Sequence, residues 1–209
     1  MLTIEGAGRW KLIIKELAEH IPFTAAGAVT GILIMVIVVH GHVPSGVSHS
    51  LFYTFHPIHV LLSALVTTAI YKLHGKGKVW ATILIGYTGS IGIATMSDSI
   101  IPFLGGGLLD IEMEFEVGFI EKWWLVNPLA FLGIAIGYWR PTTKFPHAGH
   151  VLISTWASLF YFTAFGIADW IPLLPLIFLF LFLAVWIPCC VSDIVYPLLF
   201  VRGKQNTDG

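Results

Sequence analysis

The sequence predicts an all-α integral membrane protein: six transmembrane helices form a 3+3 inverted-topology repeat, preceded by a short amphipathic interfacial helix. Hydrophobic residues make up 56% of the 209 residues and charged residues only 11%, and the mean hydropathy is +0.85. Soluble domains contain about a quarter charged residues. Six apolar runs are long enough to cross a bilayer, which takes roughly 17–25 residues each. Three short motifs also occur twice in the same order, which indicates an internal duplication.

The first predicted element is the segment 9–21, where apolar residues recur at helical spacing between charged ones. This pattern is typical of a helix that lies on the membrane surface. The segment lacks the uninterrupted apolar core and the cleavage site of a signal peptide. The six predicted spans follow at residues 22–39, 52–71, 79–104, 125–139 with its flanks, 150–168 and 171–201.

Basic residues predict the orientation of these spans. All eleven Lys and Arg except Lys122 fall on one side, which the positive-inside rule identifies as the cytoplasm. We therefore expect a multi-pass protein of the plasma or inner membrane with both termini cytoplasmic. The predicted domains are a cytoplasmic amphipathic helix (1–21), a first three-helix repeat (22–104), an external acidic connector (105–121), a second three-helix repeat (122–201) and a cytoplasmic tail (202–209).

The predicted repeat rests on motifs rich in residues that are scarce in membrane spans. In the first half "HPIHVLLSAL" precedes "SDSIIPFL", and in the second half "HAGHVLISTW" precedes "SDIVYPLL". Upstream of each, the spacing P-x4-G-x3-G recurs at Pro22, Gly27, Gly31 and at Pro128, Gly133, Gly137. Three spans per copy invert the second copy, an architecture of many secondary transporters. Helix packing alone is an equal explanation of the glycine pairs.

Each half contains a candidate metal-ligating set of two histidines and one aspartate. The sets are His56, His59 and Asp98, predicted near the outer side, and His147, His150 and Asp193, predicted near the inner side. Histidines three residues apart face one direction on a helix, and imidazole with carboxylate can ligate zinc, manganese, iron, cobalt or nickel. Each pair is predicted at a helix N-terminus, where the macrodipole favours neutral imidazole. Capping or hydrogen bonding to a neighbouring helix is the alternative for each histidine.

Other side chains near these sets are candidate additional ligands: Cys189, Cys190, His40, His42, Glu112 and Glu114. The two cysteines are predicted to face the reducing cytosol, where a disulfide is not expected. The acidic connector can concentrate cations, although a solvated connector between the halves explains it as well. A carboxylate within a span typically marks an ion or proton path; the alternative for the two aspartates is that the Ser-Asp-x-x-x-Pro motif caps or breaks the helix.

Together these patterns predict a transporter of a divalent transition-metal cation of the zinc, manganese, iron, cobalt or nickel class, working by alternating access. Proton coupling is left open. The expected partners are the lipid bilayer and the metal cation as substrate, with no nucleic acid, and a homodimer is left open. No catalytic residue is predicted.

The alternative function is an intramembrane zinc-dependent hydrolase that acts on a lipid or a peptide, in which one histidine set holds a zinc ion that activates water. The chain has no HExxH motif, the arrangement expected of a zinc peptidase helix. It also has a second, equivalent set for which hydrolysis offers no use. The sequence therefore favours the transporter over the enzyme.

Overall fold

The described chain is mostly helical. The structure is a computed structural model that describes residues 6–74, 78–141, 144–191 and 195–200. Its helices are α1 (Gly6–His40), α2 (Ser45–His74), α3 (Val79–Thr95), α4 (Ile101–Leu108), α5 (Gly118–Glu121), α6 (Trp123–Trp139), α7 (Lys144–Phe165), α8 (Trp170–Cys190) and α9 (Tyr196–Leu199), with a π-helical segment, Met96–Ile100, between α3 and α4.

Within the described residues, four helical stretches are long and apolar enough to cross a membrane: Ile21–His40, Ser45–His74, Val79–Leu108 and Trp170–Cys189. Helix α6 is a shorter apolar helix, and the predicted fifth span falls largely within α7. The protein is therefore a membrane-associated helical protein. Four such stretches agree with a membrane protein, but they do not confirm the prediction of six spans.

Several predicted boundaries differ from the observed ones. Helix α1 runs without a break through Pro22, so the structure has no boundary between an interfacial helix and a first span. Helix α2 begins at Ser45 rather than near residue 52, because the polar stretch before it continues the helix. There the hydroxyls of Ser50 and Thr54 donate to carbonyls one turn earlier, which makes polar residues compatible with a helix. Helix α7 likewise begins at Lys144.

A two-stranded ribbon joins two loops at one end of the helix bundle. Strand β1 (Glu112–Met113) pairs antiparallel with β2 (Gly166–Ile167). The backbone N–H of Glu114 then donates to the carbonyl of Phe165 at 2.9 Å. The acidic connector is therefore held against the turn between α7 and α8, and this end of the bundle is called the ribbon end below.

Helices α2 and α7 form the central pair of the bundle. Helix α2 also packs against α3 and α6, while α7 packs against α1 and α8. A Cβ added at Gly133 would collide with the carbonyl of Leu61, and one added at Gly137 with the carbonyl of Leu65. Helix α6 can therefore approach the backbone of α2 closely only because glycine occupies these two positions.

Candidate metal centre

A group of polar side chains lies where α2, α7, α8 and the π-helical segment meet. Its members His56, His59, Ser97, Asp98, His150, Ser154 and Cys189 are all fully buried. Burying polar groups without hydrogen bonds is costly, and burying a charge is more costly still. These side chains therefore have to satisfy one another.

Asp98 is the centre of the hydrogen-bond network. Its Oδ2 accepts from Nδ1 of His56 at 3.0 Å and from Nδ1 of His59 at 2.7 Å. Its Oδ1 accepts from the hydroxyls of Ser97 at 2.6 Å and Ser154 at 3.0 Å. A carboxylate only accepts hydrogen bonds, so both Nδ1 atoms carry the proton, and a neutral imidazole then keeps its lone pair on Nε2.

The local backbone explains why Asp98 lies in this position. It belongs to the π-helical segment Met96–Ile100, in which the N–H of Ile101 donates to the carbonyl of Met96. The next bond of this kind would run from residue 102 to the carbonyl of Ser97, but Pro102 has no N–H to donate. The hydroxyl of Ser158 on α7 donates to that carbonyl at 2.9 Å. Proline therefore permits the π-helical turn, a feature frequent at functional sites.

The opposite edge of His59 faces a thiol and a third imidazole. Its Nε2 lies 4.0 Å from Sγ of Cys189, and the rings of His59 and His150 meet edge to face with centroids 4.8 Å apart. One ligand atom from each of these three residues lies within 4.8 Å of the other two. Zinc binds sulfur at about 2.3 Å and nitrogen at about 2.0–2.1 Å, so a modest contraction would suit a shared ion.

The prediction that the two histidine sets lie at opposite faces is wrong for His59 and His150, which are in ring contact. The physical reason is the earlier start of both helices. His59 lies fourteen residues, or about 21 Å at 1.5 Å per residue, beyond Ser45, the first residue of α2. For His56, His59 and His150 the predicted effect of a helix N-terminus is wrong for the same reason, because that effect falls off within the first turn, whereas His147 is the fourth residue of α7.

Asp98 also differs from its predicted role. The structure brings it together with His56 and His59, as the sequence predicts, but both carboxylate oxygens accept hydrogen bonds within the protein. It orients the histidines, and the group of ligand atoms formed by His59, His150 and Cys189 does not include it. Metal-ligating histidines commonly donate their other ring N–H to a carboxylate in this way.

The remaining predicted residues do not join this group. Asp193 and the side chains of His147 and Cys190 lie outside the described residues. Four others are exposed near the ribbon end: His40, His42, Glu112 and Glu114. Among the residues that the structure describes, none of these four belongs to the group of His59, His150 and Cys189.

Sequence reasoning missed the three serines of the network, Ser97, Ser154 and Ser158. Ser97 precedes Asp98 in one repeated motif, and Ser154 follows His150 by four residues in another. Ser63 follows His59 at the same spacing. A serine at one fixed offset in both copies was the available signal, because one helical turn places it on the same face as the histidine.

His56 faces away from the thiol, toward the ribbon end. Its ring stacks on Phe52 with centroids 5.4 Å apart. A Cβ added at Gly118 would lie 2.7 Å from its Nε2, so only a glycine leaves room there. This nitrogen is buried and has no hydrogen-bond partner among the described residues. Asp98 thus connects two imidazoles that present their Nε2 atoms to different surroundings.

Fold and site together define a membrane-associated helical protein with a buried cluster of imidazoles, a carboxylate and a thiol. No protein-family model, curated protein or solved structure matches the chain. The chemistry of the cluster therefore carries the functional argument.

Proposed function

We propose that the protein is a multi-pass transporter of a divalent transition-metal cation, which it binds through His59, His150 and Cys189. The observation that carries this proposal is the convergence of their ligand atoms within 4.8 Å from three different helices. A thiolate with two imidazoles suits zinc and other borderline or soft ions better than magnesium, calcium or manganese. The donor set therefore favours zinc, cobalt, nickel or iron as the substrate.

Charge balance supports a divalent ion. The carboxylate of Asp98 and the thiolate form of Cys189 carry two negative charges in a fully buried cluster. Buried charges are stable only when they are paired or coordinate a metal. An ion with two positive charges neutralises the cluster, while Asp98 holds His59 with its Nε2 lone pair available to that ion.

The helix contacts support the inverted repeat. In a 3+3 repeat, α1 is equivalent to α6, α2 to α7, and α3 to α8. The observed contacts then form equivalent pairs: α1–α7 corresponds to α6–α2, α1–α8 to α6–α3, and α2–α3 to α7–α8. His59 and His150 are equivalent in the repeated motif and are in contact, as expected for residues beside a two-fold axis.

π-Helical residues in both halves support the same repeat. Val191 and Val195, which flank the undescribed residues 192–194, are π-helical like the segment Met96–Ile100. They occupy the equivalent positions around the Ser-Asp motif of the second half. In inverted-repeat transporters, substrates bind near the bilayer midplane where the repeats meet, and one repeat moves against the other.

A closed state explains the burial of the site. His59, His150 and Cys189 are all fully buried, so an ion held there would be shielded from both sides of the membrane. Alternating access then requires movement that opens the cluster to one side at a time. With six spans and basic residues on one side, we propose that both termini are cytoplasmic and that the ribbon end is external.

A zinc-dependent hydrolase is the second candidate, because three protein ligands with an open fourth position are also typical of catalytic zinc. Such an enzyme needs a group that takes a proton from water. Within the described residues, Asp98 is the carboxylate of the cluster, and its oxygens already accept hydrogen bonds from both imidazoles and two hydroxyls. This arrangement favours transport.

Flux through purified protein tests the proposal. Liposomes that contain the protein and a metal-sensitive dye should take up Zn²⁺ or Co²⁺ faster than protein-free liposomes. The variants His150→Ala and Cys189→Ser should lose at least about tenfold in flux. His74→Ala is the matched control, since that histidine is exposed and bonds only its own helix in the described structure. Metal binding without flux in the wild type would contradict transport and favour the hydrolase.

A further inference from the structure

A group of charged and polar side chains lies at the ribbon end, above the start of α2. The carboxylate of Glu116 lies near enough to the hydroxyl of Tyr53 and to His49 to interact electrostatically with both. The backbone N–H of Glu116 donates to the hydroxyl of Tyr161 at 2.9 Å. This bond ties the backbone of Glu116 to α7, and its side chain lies near the part of α2 where His49 and Tyr53 are one turn apart with ring centroids separated by 4.7 Å.

Negative charge is concentrated around Glu116. Burial, followed by the nearby carboxylates of Glu121 and Glu114, raises the pKa of Glu116 above its ordinary value. The ammonium of Lys122 lies 5.2 Å from the ring centroid of Tyr53 and offsets part of this charge. Carboxylates that crowd in this way attract cations to the mouth of a path.

A separate observation connects this group to the interior. His49, Tyr53 and His56 follow one another at helical spacing on α2, so they lie on the same face. The Nε2 atom of His56 is buried, has no hydrogen-bond partner in the described part of the chain, and faces Gly118. Gly118 lies two residues beyond Glu116 in the same connector. A ligand atom without a described partner therefore lies next to the connector that contains the acidic group.

We infer that Glu116 and His49 capture the transported divalent cation at the ribbon end and that His56 receives it on the way to the central site. The ion is first held by the carboxylate and by imidazole nitrogen, then moves past Gly118 toward His59, His150 and Cys189. Without a thiolate, this outer set binds borderline metals more weakly than the inner group, which suits temporary capture. The inference rests on the proposed function, since it assigns the route to the same central site.

Transport kinetics from each side of the membrane test the capture site. In vesicles of known orientation, Glu116→Gln and His49→Ala should each raise the KM for Co²⁺ at the ribbon end by about tenfold. The KM at the opposite side and the thiolate-to-cobalt absorption of the central site should stay unchanged. Glu112→Gln is the matched control, because that carboxylate is exposed on β1. Unchanged KM values in a wild type that transports Co²⁺ would overturn the inference and leave the proposed function intact.

A second variant tests the route past Gly118. Gly118→Ala places a methyl group against His56 Nε2 and should lower kcat/KM from the ribbon end. Gly107→Ala is its control, since nothing lies within 4 Å of a Cβ there.

If the wild type shows no flux, the proposed function fails, and equilibrium binding of Co²⁺ then tests the capture site. Binding of a second, weaker Co²⁺ that shows no thiolate absorption and is lost in Glu116→Gln would support the capture site. Binding of a single Co²⁺ per protein would overturn it.

Discussion

At the scale of single residues, Asp98 determines what the cluster can bind. It accepts hydrogen bonds from His56, His59, Ser97 and Ser154, and the bond to His59 fixes the lone pair on the edge that faces Cys189. An aspartate inside an apolar span indicates a functional site from sequence alone. Its role as an orienting group could not be predicted, because that role depends on which side chains from other helices meet its oxygens.

For a single residue, we predict the effect of Asp98→Asn. An amide offers one acceptor oxygen and two N–H donors, so it cannot accept from both imidazoles and both hydroxyls. An imidazole facing the amide N–H would place its proton on Nε2 and lose its lone pair toward the metal. We expect the affinity for Co²⁺ to fall by about 10–100-fold, measured by titration of the purified protein.

The matched control is Ser97→Ala, which removes one of the hydroxyl donors to Asp98 and keeps the carboxylate. One hydrogen bond contributes about 0.5–1.5 kcal/mol, so the loss of affinity should stay near or below tenfold. Equal affinities for the wild type and Asp98→Asn would show that Asp98 does not orient the metal ligands.

At the scale of elements, the axial positions of α2 and α7 bring His59 to His150. The sequence predicts both helices from their apolar content, and it predicts the two motifs as equivalent. It does not predict their contact. Polar residues at 45–50 resemble a loop, although the hydroxyl of Ser50 donates to the carbonyl of Gly46 one turn earlier. The position of α2 relative to α7 depends on packing between residues that are distant in sequence, such as Phe52 against Tyr161. The periodicity of one helix does not predict such contacts.

An element-scale prediction follows from the close packing of α6 on α2. Gly133→Ala should lower the thermal stability of the detergent-purified protein, because its Cβ would collide with the backbone carbonyl of Leu61. Forcing a methyl group into packed space costs about 1–3 kcal/mol. Gly92→Ala is the control, since nothing lies within 4 Å of a Cβ there and alanine is favoured over glycine within a helix. A Gly133→Ala protein as stable as the control would contradict this packing.

At the scale of the whole molecule, the proposed two-fold relation explains why the ligands come from both halves. Two halves that enter the membrane in opposite directions bring equivalent helices together at their axis, and α2 and α7 are the central pair. The sequence predicts the duplication because histidine and aspartate are scarce in spans. The sequence predicts the two histidine sets at opposite faces because hydropathy shows where apolar runs end. Helices α2 and α7 begin before their apolar runs do.

The ligands that His59, His150 and Cys189 supply to one transition-metal ion can be observed by X-ray absorption of the zinc-loaded protein. We expect one sulfur ligand at about 2.3 Å together with nitrogen ligands at about 2.0–2.1 Å. Cys189→Ser should remove the sulfur, whereas Cys190→Ser should keep it. A zinc shell of nitrogen and oxygen alone in the wild type, or a sulfur ligand that survives Cys189→Ser, would contradict this set of ligands.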